Sequence, residues 1–257
     1  MNGGRPGCDP GMAVLCSSRD RLVLVESHSR AGKGVNAAMT RSLRLYDYAA
    51  SCNCYKVRLL LAHLGMAYER VPVDIFDGQT LTDGYARINP TRTTPVLETE
   101  DGRYLPESNA ILLYLASGTP YLPEDVFELA QAVRWLIYEQ TDIVPMIGGL
   151  RFRLLGGRLS PSDPDAIRRR HGAAEVLSLL DHHLVEHEFF VGGGYTIADI
   201  AVYGYTHLAH EAGLDMQPYA GVRAWLRRVE AQPGYIEDVE PYGANAAPGA
   251  GRSLYDT

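Results

Sequence analysis

The sequence predicts an α/β domain followed by an all-α, helical-bundle domain. Between about residues 41 and 118, short alternating runs and amphipathic runs take turns in the order β-α-β, then β-β-α. Beyond Pro120-Tyr121-Leu122-Pro123, which reads as a linker, the alternation stops. From about residue 124 to 240 apolar residues recur at helical spacing. Composition sets off both ends, residues 1–40 and 241–257, from these two domains.

Residues 1–40 are rich in Gly, Ser, Arg and Asn and read as a mobile extension. Met12-Ala13-Val14-Leu15-Cys16 is too short for the apolar core of a signal peptide, and Ala31-Gly32-Lys33-Gly34 lacks the spacing of a phosphate loop. Met39 stands directly before the first convincing strand, so Met39 or Met12 is an alternative start. Leu43-Arg44-Leu45-Tyr46-Asp47-Tyr48 alternates and carries aromatics, as a strand does. Val57, Leu60, Leu61 and Leu64 fall at i, i+3, i+4 and i+7, predicting a helix that Gly65 stops. Ser51-Cys52-Asn53-Cys54 therefore forms a strand-to-helix turn. A helix start carries unpaired N–H groups and a partial positive charge, which suits an anion or a thiolate. Ser51 or Asn53 can equally serve as a plain helix cap.

Tyr68 to Ile75 alternates as a second strand, so the strand-helix-strand path predicts a right-handed parallel crossover. A polar loop follows over 76–95, with a short helix around Leu81 to Arg87. Val96-Leu97-Glu98 and Arg103-Tyr104-Leu105 flank Asp101-Gly102, a hairpin signal. Glu107-Ser108-Asn109 opens a helix carrying Ile111, Leu112 and Leu115, which Gly118-Thr119-Pro120 stops. The long periodic run over 124–153 is expected to kink or break at Pro145 and Gly148-Gly149. Three further helices are expected: one starting at Pro161 to Asp165, one at the capping-box-like Thr196-Ile197-Ala198-Asp199, and one around Val222, Trp225 and Val229. Pro241 to Thr257 is Gly/Ala-rich and reads as a loose tail.

The chain has 257 residues, 46% hydrophobic and 21% charged, with a formal charge of -7. A net negative charge gives no field for nucleic acid or anionic membrane, and no apolar run approaches the ~20 residues of a membrane helix. Cys8, Cys16, Cys52 and Cys54 form no disulfide framework, so a reducing cytoplasm is the simplest setting. Cys52 and Cys54 lack a second Cys/His cluster at usable spacing, and His183 and His187, four apart, lack a third ligand. No metal is expected, and His182, His183 and His187 read as solvated.

Four separated motifs, in order, resemble the glutathione S-transferase superfamily over about residues 42 to 240. Ser51-Cys52-Asn53-Cys54-Tyr55-Lys56-Val57-Arg58 looks like the catalytic turn of its serine/cysteine classes, especially zeta and theta. Thr94-Pro95-Val96-Leu97 looks like the cis-proline loop, Leu105-Pro106-Glu107-Ser108-Asn109 like the γ-glutamyl site, and Thr196 to Asp199 like the helical-domain cap. The resemblance implies a thioredoxin-like N-terminal domain, glutathione as co-substrate, and a homodimer. Ser51 then takes the position of the thiolate-stabilising hydroxyl, with Cys52, Asn53 and Cys54 as neighbours in the turn. Thr94, Pro95, Val96, Glu107, Ser108, Gln79, Thr80 and Arg92 become the glutathione contacts. Ser108 and a helix start suit its carboxylate, and Glu107 its ammonium. Tyr138, Met146, Arg151 and Phe152 are the candidates for the electrophile pocket, and Thr196 and Asp199 are structural.

The reaction this implies is attack of glutathione thiolate on an electrophile, or glutathione-assisted isomerisation. A cysteine at the turn would instead favour disulfide reduction or peroxidase chemistry through Cys52 or Cys54. A non-catalytic interaction module of the same fold is the third possibility, against which the retained Glu107-Ser108 and Thr94-Pro95 speak. Tyr46 and Tyr48 could mimic the tyrosine classes, although strand aromatics usually belong to the core.

Overall fold

The structure is a computed structural model and describes residues 42–256; the expectations for residues 1–40 lie outside the described residues. Strand β1 (Leu43–Asp47) pairs in parallel with β2 (Tyr68–Pro72) through the helix α1 (Cys52–His63) that crosses between them. On its other side β1 pairs antiparallel with β3 (Val96–Glu98), which pairs antiparallel with β4 (Tyr104–Pro106), giving the order β2-β1-β3-β4. This is the thioredoxin-like half that the resemblance implies. Strand β2 stops short of Ile75 because β1 ends at Asp47, opposite Pro72, and leaves it no partner.

Helix α1 is covered on one side by α3 (Ser108–Ala116) and on the other by α7 (Ile197–Thr206) of the helical half. It is therefore buried nearly all round, and Lys56 and Arg58 are fully buried along with its apolar residues. Charges taken out of water need partners. The Lys56 ammonium lies 2.9 Å from Glu139 and donates to Asn109 Oδ1 at 3.2 Å. Arg58 pairs with Asp47 at 2.5 Å and with Asp238 at 2.9 Å. The expected short helix resolves into a tight turn over Gln79–Leu81 and helix α2 (Asp83–Ile88), capped by Thr82.

The helical half begins with α4 (Val126–Tyr138), continues through a wide π-helical stretch, Glu139–Gly148, and runs into α5 (Gly149–Leu155). The expected break at Pro145 is thus absorbed as a widening of an unbroken helix, which accommodates a residue that cannot donate a main-chain hydrogen bond. Helices α6 (Pro164–Glu186), α7 and α8 (Ala220–Glu230) complete it. Leu45, Leu97, Ile111, Trp135, Leu177, Ile200 and Trp225 belong to one continuous core, so the two halves share their interior.

The tail is not loose. Tyr242 lies against Tyr48, Phe76 and Phe152, Ala246 and Ser253 are buried, and Arg252 N donates to Phe76 O at 2.8 Å. A segment without periodicity gives no sign of folding, but its widely spaced aromatics find a surface made by other elements.

Candidate active site

Ser51 has extended backbone angles and caps α1, its hydroxyl accepting from Cys54 N at 3.3 Å. The turn is braced from behind, where Ser51 N donates to Tyr48 O at 2.9 Å. In front of it lies a cleft of about 140 Å³ to which Ser51 and Asn53 both contribute. Thr80, Arg92, Thr93 and Thr94 bring further polar groups to the same cleft. Ile75, Tyr205, Leu254 and Tyr255 supply its apolar and aromatic lining.

The Thr94-Pro95 peptide is cis. Arg92 is held at φ 58°, in the left-handed region, and its guanidinium donates to Leu81 O. Glu107 is held at φ 71° just before α3, where its carbonyl accepts from Ile111 N at 2.9 Å. Non-glycine residues in this region cost about 1–3 kcal/mol and persist where surrounding structure fixes them, often at functional sites. Ser108 is buried and donates from Oγ to Asn53 Oδ1 at 3.3 Å, tying the start of α3 to the turn.

The two cysteines of the turn face inward. Cys52 is fully buried with Arg151 Nη1 3.9 Å from its sulfur, and burial pushes its thiol up to about 11. Cys54 is fully buried, accepts from Tyr48 N at 3.4 Å, and is pushed by burial up to about 12. A reactive thiol needs a lowered pKa and access, and neither has these.

Ser51, Asn53, Thr80, Arg92 and Thr94 thus line one cleft, and Ser108, directly after Glu107, adjoins them through Asn53. Gln79 is exposed and accepts from Asp74 N at 3.0 Å, outside the cleft lining. Val96 does not face the cleft. It is fully buried inside the sheet, opposite Tyr46 on one side and Pro106 on the other, and the part of this loop that lines the cleft is Arg92, Thr93 and Thr94.

Of the electrophile-pocket candidates, Phe152 stacks on Phe76 at 5.8 Å and borders Tyr255 at 5.0 Å. Arg151 is buried, paired with Glu211 at 2.5 Å, and donates to Tyr242 Oη at 3.3 Å, bracing Cys52 and the tail from behind the cleft. Tyr138 sits edge-on to Trp135, and Met146 lies over Gly172, so neither lines the cleft. Tyr46 donates to Glu98 at 2.9 Å and Tyr48 packs on Phe76; neither lines the cleft. His182 and His187 are exposed, whereas His183 is half-buried and stacked on His187 and Phe190. Among the described residues no group of three His, Cys, Asp or Glu comes together to hold a metal.

Sequence reasoning missed Tyr205, Leu254 and Tyr255. One signal was available for Tyr205: a Cβ on Gly148 would lie 2.4 Å from its ring, so the glycine pair at 148–149 marks a close approach, not a break.

Two family models match the chain: the N-terminal domain of the glutathione S-transferases over residues 50–117, and their C-terminal domain over residues 143–233. The crystal structure of a possible glutathione S-transferase from Rhodopseudomonas palustris is 42% identical, with TM-score 0.73, covering 77% of this chain and 98% of its own. The disulfide-bond oxidoreductase YghU of Escherichia coli K12 is 31% identical over 212 residues, 74% of this chain and 72% of that protein. A glutathione transferase from Burkholderia graminis, solved with two glutathione molecules per subunit, is 29% identical with TM-score 0.67, covering 77% of this chain and 88% of its own. The fold defines a two-domain protein in which a thioredoxin-like half is joined to a helical half through a common core. Within that class, the chain belongs to the glutathione S-transferase superfamily.

Proposed function

We propose that this protein binds glutathione, holds it as a thiolate, and transfers it to an electrophilic small molecule. The observation that carries this is the single cleft shared by the Ser51 hydroxyl, the start of α1 and the loop before cis-Pro95. A free thiol has a pKa of about 8.5, so few glutathione molecules are ionised at neutral pH. Ser51 donating to the sulfur, with the N–H groups of the first turn of α1, stabilises the anion as its proton leaves to solvent. The thiolate then forms a C–S bond, and the leaving group departs with its electron pair.

Thr94 offers its main chain to the peptide part of glutathione in the manner of an added strand. Ser108 and the start of α3 suit the γ-glutamyl carboxylate, Glu107 its ammonium, and Arg92 the glycine carboxylate. The polarity of Ser51 and Asn53 against the burial of Cys52 and Cys54 argues for hydroxyl activation over thiol redox chemistry at the turn.

A second reading is favoured by the similarity to YghU: the electrophile is a disulfide, attacked by the glutathione thiolate itself and not by a protein cysteine. A panel of an aryl halide, a cis-enoyl keto acid and a mixed disulfide, each with glutathione, separates conjugation, isomerisation and reduction. Ser51→Ala is expected to raise the pKa of bound glutathione, read from its thiolate absorbance. An unchanged titration in Ser51→Ala, with activity lost in Cys52→Ala or Cys54→Ala, would overturn the assignment.

We also propose a homodimer. Helix α4 exposes Val126, Phe127 and Ile137, and beside it Leu113, Val133 and Ile137 line an apolar groove between α3 and α4. No helix among the described residues is long and apolar enough to cross a membrane, and free thiols suit the reducing cytoplasm as the site of action.

A further inference from the structure

Residues 241–256 lie beyond both matched domains, yet they are attached at four separate points to residues around the cleft. Tyr242 stacks on Tyr48 at 6.4 Å and 29° and receives the Arg151 hydrogen bond at 3.3 Å. Asn245 Nδ2 donates to Asp74 Oδ2 at 2.8 Å. Arg252 N donates to Phe76 O at 2.8 Å, and Arg252 forms a parallel bridge with Asp77. Gly251 comes so near the 74–78 loop that a Cβ there would lie 2.4 Å from Phe76 O.

These attachments carry Leu254 and Tyr255 into the lining of the cleft that holds Ser51 and Asn53. The Tyr255 ring lies 5.0 Å from Phe152 and 6.0 Å from Phe76, which are themselves stacked at 5.8 Å and 19°. Phe76 is fully buried, whereas Tyr255 is 56% exposed. The ring thus covers a fixed aromatic shelf while being the least enclosed member of the stack. With Tyr255 in place the cleft offers about 140 Å³. Ordinary small-molecule sites offer ~300–1,000 Å³.

We propose that residues 241–256 form a strap across the cleft, and that Tyr255 is a specificity-determining residue that keeps the place of the second substrate. A flat aromatic electrophile takes that place, stacking on Phe152 and Phe76 as Tyr255 moves aside. The anchors at Tyr242, Asn245 and Arg252 hold the strap while its Leu254–Tyr255 end yields. The choice of an aromatic electrophile rests on the transferase reading given above; the strap does not.

The test uses the full chain, Tyr255→Ala, and Gly251→Val, whose side chain meets Phe76 O of the loop and Asn245 O of the strap and so displaces the strap while leaving every cleft side chain unsubstituted. The probe is anilinonaphthalene sulfonate, titrated by fluorescence without glutathione. Both variants are expected to bind the dye several-fold more tightly than the parent, because the aromatic shelf is uncovered. Equal or weaker binding by Tyr255→Ala overturns the strap, and Tyr255 is exposed enough that this variant keeps its fold.

With glutathione, Tyr255→Ala is expected to raise kcat/KM for a bulky aryl halide relative to a small alkyl halide. An unchanged ratio alongside tighter dye binding overturns the specificity role. Calorimetric titration of glutathione into the parent protein separates the two readings. Absence of binding there removes the transferase reading, and the dye titration still decides the strap.

Discussion

Asp199 shows how much one side chain carries here. Fully buried, its carboxylate accepts from Thr196 N at 3.0 Å, Phe190 N at 3.1 Å and Trp225 Nε1 at 2.9 Å, and from the Thr196 hydroxyl at 3.3 Å. Burial nevertheless raises its pKa from 3.8 to about 6, so the folded protein holds this proton more tightly than the unfolded chain does. The stability contributed by that proton is present below pH about 4 and is lost as pH rises to about 6. Asp199→Asn should therefore flatten the pH dependence of urea unfolding between those two values. Cys52 and Cys54 supply a second expectation at this scale. In a Cys8→Ser/Cys16→Ser background, the native protein should react with a disulfide reagent far more slowly than the urea-unfolded chain, because both turn thiols are fully buried and held protonated.

Among the elements, α7 and the π-helical stretch set the helical side of the cleft. Helix α7 starts with a complete capping box between Thr196 and Asp199. Asp199→Ala removes the box and leaves several buried donors unpaired, which should cost about 2–4 kcal/mol in chemical denaturation. The π-helical stretch ends at Gly148, whose missing side chain makes room for the Tyr205 ring. Gly148→Ala should lower stability by about 1–3 kcal/mol through overpacking. Because Tyr205 lines the cleft, the same change should raise KM for the electrophile in steady-state assays more than it alters glutathione affinity. Helix α1 is the opposite case, a helix buried nearly all round, with Lys56 and Arg58 paired inside beside the apolar Val57, Leu60 and Leu61.

Across the whole molecule, the ion pair of Lys56 with Glu139, supported by Asn109, joins α1 to the helical half inside the common core. Breaking a buried pair leaves one charge uncompensated and costs ~3–5 kcal/mol, whereas replacing both partners by apolar residues is often near neutral. Glu139→Met alone should therefore destabilise more in urea denaturation than the double change Lys56→Met/Glu139→Met. The proposed dimer has its own test. Ile137→Glu places a charge on the exposed apolar face of α4 and should shift the protein to a monomer in sedimentation velocity, with no loss of secondary structure.

The sequence by itself determined the order of elements, because each is announced locally: alternation at β1, i, i+3, i+4, i+7 spacing in α1, Asp101-Gly102 between β3 and β4, and the capping box of α7. Residue preference at a helix start also marked Ser51 and Asn53 as cap candidates, while Thr94 and Ser108 were singled out by the family resemblance. Tertiary structure decided which of these meet. Val96 turned into the sheet and left Thr94 at the cleft, and Cys52 and Cys54 turned into the core. Tyr205, Leu254 and Tyr255 arrived from far along the chain, Tyr205 being 154 residues after Ser51. Nothing in a local pattern encodes such encounters: which face of a turn meets water, and which distant aromatic closes a cleft, depends on the surfaces of other elements once they have packed.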